Sequence, residues 1–533
     1  MVSRVSRRGF LGSAAAVAGA AAVGGFTPAY AGARTDCGPV APEVIVRPGD
    51  ARYTELATRG YNQRFSSSAD EIWLVHSAEQ VEKAVNQAVR QNQRITVRSG
   101  GHCFEGLVDD PQIRLLVDTS EMKGVTFDPR MNAFAVLPGN RLGEVYKALH
   151  DGWGVTLPAG VCPEVGVAGH VAGGGYGPLS RHYGLSVDHL HAVEVVVAGK
   201  DGRARTLVGT CDPKDPHHDL WWAHTGGGGG QFGIVTKYWF RTPGAKGEPG
   251  KLLPTPPERF RVSYVTWPWN GLTEAGFTRL VMNHGAWHAA NSGPDSPYAR
   301  MHSSLQLFAA FAGYVKLEIR MDATVPNLEQ LHNDYIKALS AGVGVQPTVQ
   351  TTDSTWLEAA LTPSGDRQGY TRHKSMGGYL RKPFTDTQIA ALYKSLTDQT
   401  HKGIGLVYLA AYGCKINTVA PTATAVAQRD SIIKLWYANN WVDKADDEAE
   451  VNWIRTLHGT VHASTGGVPV PNDQQDGCYI NYPDIDIRNT SVNHSGVPWS
   501  TLLYKQNYPR LQRAKSTYDP RGVFRHTLSV DPA

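Results

Sequence analysis

Cysteine is scarce in this chain, and so is net charge. Six cysteines stand among 533 residues (Cys37, Cys103, Cys162, Cys211, Cys414 and Cys478). No two of them form a C-x-x-C pair, which argues against a zinc site and against a small disulfide scaffold. An exported protein can still close a bridge, but the spacing names no pair. The formal net charge is only +4, with no long Lys/Arg block, so neither nucleic acid nor an anionic membrane is expected as a partner. No self-similar period marks a repeat protein. A membrane-spanning run is missing too: the apolar stretch near the start is short and Ala/Gly-rich. What remains is ordinary globular composition, 41% hydrophobic and 19% charged. Such a length predicts two or three structural units with an extensive core.

The first residues read as an address. "SRRGFLG", from Ser6 to Gly12, carries Arg7 and Arg8 ahead of an Ala/Gly run to Gly25, then "AYA" at Ala29–Ala31. A basic start, a short apolar stretch and an A-x-A site make an export signal, and paired arginines indicate the twin-arginine route. Residues 1–31 are therefore expected to be removed, leaving a secreted or extracytoplasmic protein with no membrane association. That route carries folded proteins, which suits an enzyme loaded with a cofactor before it leaves the cytoplasm.

The next part alternates helix and strand. Val81, Ala84, Val85, Ala88 and Val89 repeat at helical spacing behind Ser77, a fair N-cap. Ile95–Val97 then form a strand that ends at Gly100-Gly101. "IRLLVDTS" and "AFAVLPG" read as further strands, and "RLGEVYKALHDGW" as a helix. "LHAVEVVVAGKDGRARTL" predicts a hairpin turning at Asp201-Gly202. The Pro/Gly-rich "TPGAKGEPGKLLPTPPE" (242–258) marks a boundary. Beyond it, "SSLQLFAAFAGYVKLEIRM" and "GIGLVYLAAYGC" are strand-like, whereas "TATAVAQRDSIIKLWYANNW" reads as helical. This mixture predicts an α+β domain whose sheet has one covered face. The tail "YPRLQRAKSTYDPRGVFRHTLSV" reads as helix, turn and short strand, docking back on the first domain.

Glycine-rich turns punctuate the chain. Gly228-x-Gly230-x-x-Gly233 matches the dinucleotide fingerprint literally, but "IVTKYWF" after it is alternating and β-branched, a strand where that fingerprint needs a helix. Bare backbone serves another purpose equally well, the close approach of a flat ring or a pyrophosphate. Two further turns each carry one reactive side chain: His102 in "VRSGGHCFEG" and Cys162 in "PAGVCPEVGVAGHVAGGGYG". Taken singly, His102 reads as a turn residue and Cys162 as a small buried thiol. A cysteine nucleophile with His102 as base lacks an accompanying oxyanion motif. Metal ligation by His102, His170 and His182 lacks a tight ligand pattern. His217-His218 with Asp219 reads as a solvated loop.

Their order changes the reading. "TVRSGGH", "PAGVCPEVGVAGHVAGGGYGPLSRHYGLSVDHL", "GGGGGQFGIVT", "CYINYPD" and the "YKQNYPRLQRAKSTYDPRGVFRH" tail follow one another across the chain. This combination resembles the berberine-bridge-enzyme-like FAD-linked oxidases of the vanillyl-alcohol-oxidase (PCMH-type) fold, and among them the actinobacterial oxidases that tailor glycosylated or polyketide antibiotics. The resemblance implies an α+β fold: a two-part FAD-binding domain over residues 32–242, a substrate domain with a large helix-covered antiparallel sheet over 243–484, and a C-terminal segment over 485–533 returning to the first domain. It implies FAD held by two covalent bonds, His102 to the 8α-methyl and Cys162 to C6. Arg98, Ser99, Gly100, Gly101, Val165, Gly166, Gly169, Gly230, Ile234, Tyr479 and Asn481 fall at cofactor-contacting positions by the same resemblance. Asp118 and Ser120 look like further backbone and flavin contacts. Tyr482 in the "Y-x-N-Y-P-D" strand falls at the position of the base, and Tyr412 in "LAAYGCKIN" at that of a second tyrosine. Val165 matches a position where valine accompanies oxidases, so O2 is the expected acceptor and H2O2 the product. Gln231 departs from the pattern, which often has Asn there. No metal is implied.

The resemblance leaves alternatives open: an alcohol oxidase acting on a sugar or polyketide hydroxyl, an oligosaccharide or hexose oxidase, or an enzyme that closes a ring oxidatively. An exported carbohydrate-binding protein with a decayed flavin site is a further reading, opposed by intact His102, Cys162 and Tyr482. A small molecule and O2 are the expected partners, and nothing in the sequence sets the oligomeric state.

Overall fold

Why the N-terminal half places its glycine turns where it does follows from two small sheets packed together. The computed structural model describes residues 40–362, 372–401 and 403–533; the export signal and Cys37 lie outside these residues. Strands β1 (Val44–Val46), β2 (Glu71–Leu74), β3 (Ile95–Arg98) and β4 (Leu115–Asp118) form a sheet in the order β1-β2-β4-β3. The helix Ala78–Arg90 links β2 to β3, and the Ser77 hydroxyl caps it by accepting from the Gln80 amide at 3.3 Å. Val81, Ala84, Val85 and Ala88 make its buried stripe. That stripe joins one core with Leu115 and Val117 of β4.

A second, antiparallel sheet contains β5 (Val125–Asp128), β6 (Ala133–Val136), β7 (Leu190–Ala198), β8 (Ala204–Thr210) and β9 (Ile234–Phe240), in the order β5-β6-β9-β7-β8. Gly202, at φ +75°, makes the β7–β8 turn. Val196 of β7 and Ile234 of β9 enter the same core as the helix stripe, so the two sheets share one apolar layer. The tail follows suit. After the helix Tyr508–Tyr518, Phe524 pairs with Ile95 in a parallel bridge and enters that layer.

The remaining strands, β10 (Arg259–Pro268), β11 (Met301–Phe308), β12 (Tyr314–Asp322), β13 (Thr348–Thr355), β14 (Arg372–Leu380), β15 (Ile404–Ala411) and β16 (Ile433–Trp441), form an antiparallel sheet in the order β13-β10-β12-β11-β15-β16-β14. Period-two alternation splits it into two different faces. Val265, Leu305, Leu317, Leu409 and Leu435 pack under the helices Glu274–Asn291, Leu328–Ser340, Asp386–Leu396 and Asp447–Val461. The opposite face carries Gln306, Glu318, Arg320, Tyr408, Lys434 and Trp436. It is this second face that meets the glycine turns, and Gly38–Ala533 pack as a single compact unit.

Three local readings are corrected. "SIIKLWYANNW" is β16, not helix, flanked by β15 and β14. Apolar residues on both of its faces erase the alternation, and a short continuous apolar run cannot be told from a helix by period. The "Y-x-N-Y-P-D" segment is an irregular turn in which the Tyr482 amide donates to the Tyr479 carbonyl at 2.9 Å; Pro483 has no amide hydrogen to give a ladder. His217-His218 open the helix His218–Ala223 rather than a free loop.

Candidate active site

The two loops that carry His102 and Cys162 cross each other in direct backbone contact. A Cβ on Gly100 would lie 2.5 Å from the Gly166 amide nitrogen, so only two glycines allow this approach. Gly101 turns the first loop at φ +71°. The Ser99 hydroxyl anchors it by donating to the Pro138 carbonyl at 2.6 Å. In the second loop the Val165 amide donates to the Cys162 carbonyl at 3.2 Å, which closes a turn into the helix Val167–Ala172. The His102 ring stacks on Tyr61 at 4.4 Å, and both His102 and Cys162 are half-buried.

Beside this crossing lies a groove walled by bare backbone. Nothing lies within 4 Å of a Cβ built on Gly169, and one on Gly229 would meet only Ala172 and the Gly169 Cα, at 3.7 and 3.8 Å. Gly230, at φ +70°, faces Val97 at the end of β3. Two buried polar groups at this end have no partner among the described residues: Nη1 of Arg98 and the Ser120 hydroxyl. The rest of Arg98 is held by Asp118, at 3.0 and 2.8 Å. A buried donor left unsatisfied is costly, and a phosphate oxygen or a ring carbonyl would satisfy both groups. Open glycine surface plus orphaned donors fit a flat, pyrophosphate-bearing cofactor.

Above the groove is a cage of tyrosines around one lysine. Lys434, on β16, is 2% exposed. Its Nζ lies 3.4 Å from the Tyr479 ring centroid and 4.4 Å from those of Tyr176 and Tyr482. Three ring faces line it. Burial holds Lys434 well below the usual ammonium range and lifts the Tyr482 hydroxyl well above its ordinary value. Tyr479 is pushed up to about 12, again by burial. Asn481 braces the group, donating to the His170 carbonyl at 2.9 Å and to the Tyr479 hydroxyl at 3.2 Å. A side chain at Gly173 would occupy the space of the Asn481 amide.

The polar sheet face continues outward from the cage. Cross-strand pairing sets Lys316, Gln306, Tyr408, Trp436 and Gly377 in one row, and the Trp436 ring stacks on Tyr482 at 5.3 Å. Tyr408 is near enough to Tyr482 and Tyr176 for its charge to oppose theirs. Tyr479, whose ring lies 5.2 Å from that of Tyr482, and Tyr408 both neighbour Tyr482. Tyr412 is fully buried just past β15, where its hydroxyl donates to the Gln428 carbonyl at 3.0 Å. Ile234 lies in the core at 1% exposure. Gln231 faces protein: its amide nitrogen donates to the Gly227 carbonyl, and its Oε1 accepts from the Val530 amide at 2.7 Å. Lys434 and Trp436 escape a reading of the sequence because their segment shows no alternation to mark it as a strand.

A bare-backbone groove for a flat cofactor, built between two small sheets and roofed by the polar face of a large antiparallel sheet, defines an FAD-dependent oxidoreductase of the PCMH-type fold. The "FAD binding domain" family matches residues 69–207, and the "Berberine and berberine like" family residues 478–531. The aclacinomycin-N/aclacinomycin-A oxidase of Streptomyces galilaeus is 52% identical, over 100% of this chain and 99% of that protein. The chain therefore belongs to the berberine-bridge-enzyme-like family of FAD-linked oxidoreductases. The crystal structure of aclacinomycin oxidoreductase superposes with a TM-score of 0.91 at 54% identity, covering 92% of this chain and 100% of that one. A glycopeptide hexose oxidase solved with teicoplanin reaches 0.90 at 48% identity, covering 93% and 100%.

Proposed function

We propose that this protein is an exported oxidase that holds FAD through covalent bonds at His102 and Cys162 and oxidises an alcohol of a glycosylated or polyketide antibiotic to a carbonyl, reducing O2 to H2O2. The observation that carries the reading is the Lys434 cage beside the bare glycine groove. FAD held there would supply a two-electron acceptor for the hydride of the carbinol carbon, with O2 as the oxidant that restores it. Tyr482 takes the hydroxyl proton, which must leave as the hydride leaves. Burial drives both Lys434 and Tyr482 towards their neutral forms. A proton taken up by Lys434 would cancel the charge of a tyrosinate beside it, so the amine gives Tyr482 a route to acting as a base without net buried charge. Arg98 and Ser120 would hold polar oxygens of the cofactor. Tyr408, Trp436 and Gln306 form the wall against which a substrate would lie.

The antibiotic class is supported by what the relatives named above act on. Aclacinomycin N is the first compound to try. Loss of two hydrogens with a new carbonyl and one equivalent of H2O2 is expected; the same mass loss with a new ring would replace this reading by oxidative cyclisation. Turnover of hexoses or oligosaccharides alone would move the substrate to sugars.

Attachment is checked by acid denaturation, after which yellow colour should stay with the polypeptide. His102→Ala and Cys162→Ala should each retain flavin through the remaining bond, and the double variant should release all of it. Free FAD from denatured wild type would refute covalent attachment. Export is checked by changing Arg7 and Arg8 together to lysine. A receptor-read twin-arginine address tolerates no such change, so precursor should accumulate inside the cell, and normal secretion would refute the route.

A further inference from the structure

Behind the site, three carboxylates converge on one buried ammonium. Lys374, on β14, is 1% exposed. Its Nζ lies 2.7 Å from Glu105, 2.7 Å from Asp484 and 3.0 Å from Asp486. Asp486 is also gripped by Arg455 through two contacts of 2.7 Å, and Arg64 stands 4.0 Å from Glu105. Three cations thus face three anions. A buried cluster of this kind is poor evidence of net stabilisation, since apolar residues of similar volume often do as well.

Its connections are more telling than its charge. Glu105 lies three residues after His102, on the same loop; Asp484 lies two residues after Tyr482. The Ile485 amide also donates to Glu105, at 3.3 Å, so the two loops share one carboxylate. A second clamp sits next to the first. The Asn62 side chain donates to the carbonyls of Phe104 and His373, at 2.7 and 2.8 Å, and accepts from the His373 amide at 3.0 Å. Phe104 itself stacks on Trp436 at 5.6 Å and lies 6.4 Å from Tyr482. Three residues on from Lys374, Gly377 of β14 sits against Tyr482, whose Cβ would be 3.2 Å from any Cβ there.

We propose that Lys374 is a positioning residue that sets the His102 loop and the Tyr482 loop in one register, with Glu105 as the arm to the first and Asp484 as the arm to the second. The proposal rests on the flavin attachment and the role of Tyr482 given above. It divides the labour: the Glu105 arm governs whether His102 meets its bonding partner, and the Asp484 arm governs where the Tyr482 hydroxyl stands. Asp486 and Arg455 complete the charge balance and tie the cluster to the helix Asp447–Val461 without touching either loop's functional side chain.

The experiment compares Glu105→Gln, Asp484→Asn and Arg455→Gln, each as the full flavin-loaded protein. Flavin-bearing peptides are identified by mass after proteolysis, flavin reduction by aclacinomycin N is followed anaerobically, and melting temperature is recorded. Glu105→Gln is expected to lose most of the flavin bond at His102 and keep that at Cys162. Asp484→Asn should keep both bonds and slow flavin reduction about tenfold or more, as a displaced reacting group does, with affinity for aclacinomycin N unchanged. Arg455→Gln should lower the melting temperature and leave both other readouts as in wild type. If all three variants melt earlier with attachment and reduction unchanged, the cluster only stabilises and the proposal fails. Should a single variant not fold, the charge-balanced pair Lys374→Gln with Asp484→Asn takes its place, with both readouts expected to fall. Wild type lacking flavin on the His102 peptide would overturn the attachment reading, and this proposal with it. Wild type that carries it but is not reduced by aclacinomycin N would overturn the substrate alone, and the attachment result then decides.

Discussion

Tyr482→Phe is expected to slow anaerobic bleaching of the flavin by the alcohol about 10²–10⁴-fold, the range typical of a positioned proton acceptor. The substitution keeps the ring that lies under Lys434 and against Trp436, so flavin content and substrate affinity should hardly change. Lys434→Met should act on the same step by another route. Without the amine, no proton uptake beside Tyr482 can offset the burial that lifts its hydroxyl, so the pH above which the hydroxyl works as a base moves upward. At neutral pH each unit of that movement costs about tenfold in rate, and raising the pH should recover part of the loss. Stopped-flow reduction across pH distinguishes the two variants: Tyr482→Phe should be slow at every pH, Lys434→Met mainly at low pH. If Tyr482→Phe is reduced as fast as wild type, the base is another residue.

Acid should unfold this protein well before its carboxylates are spent. His224, His284, His302, His373 and His462 are all at most 2% exposed. Burial lowers His284 and His302 from 6.5 to about 3, and His224, His373 and His462 to about 4. The folded chain therefore refuses protons that the unfolded chain accepts. Stability is complete above pH 6.5 and drains as pH falls towards those lower values. Each histidine removes about 1.4 kcal/mol per pH unit in that window. Acids raised by burial oppose the trend: Asp476 is lifted to about 7, Asp484 to about 6, and Asp109, Asp519 and Glu450 are also raised. The lowered histidines, which also include His170, His288, His458 and His526, are more numerous. Against a total of roughly 5–15 kcal/mol, five such groups place a cooperative transition between about pH 4 and 6. Circular dichroism and tryptophan fluorescence against pH would show it, and a protein still folded at pH 4 would contradict it.

Much of the flavin half was legible because its glycines have no packing role that another residue could fill. Gly100 and Gly166 must touch, so "SGGH" and "VCPEVG" keep a readable form. The helix behind Ser77 and the hairpin at Gly202 carry local capping and turn signals that need no tertiary context. The roof of the site was harder to read. Lys434, 2% exposed, and the half-buried Trp436 share a strand with the fully buried Leu435 and Tyr437, so no alternation survives to announce it. Tyr408 and Tyr412 have the same parity on one segment, and only the Gln428 carbonyl that occupies Tyr412 tells them apart. The Lys374 cluster draws its members from residues 105, 374, 484 and 486, a separation across which no sequence pattern operates.

The two-faced sheet also bears on how such an enzyme could change its diet. Gln306, Tyr408 and Trp436 stand side by side but come from three different strands, while Leu305, Leu409 and Leu435 of the same strands pack into the helix-covered core on the reverse face. A mutation at any one of them alters the wall met by a newcomer molecule without disturbing the hydrophobic layer behind it. The machinery for holding the cofactor sits on other sheets altogether. Lineages can therefore explore new compounds one side chain at a time, most freely at Gln306, since Trp436 also stacks on Tyr482 and Phe104.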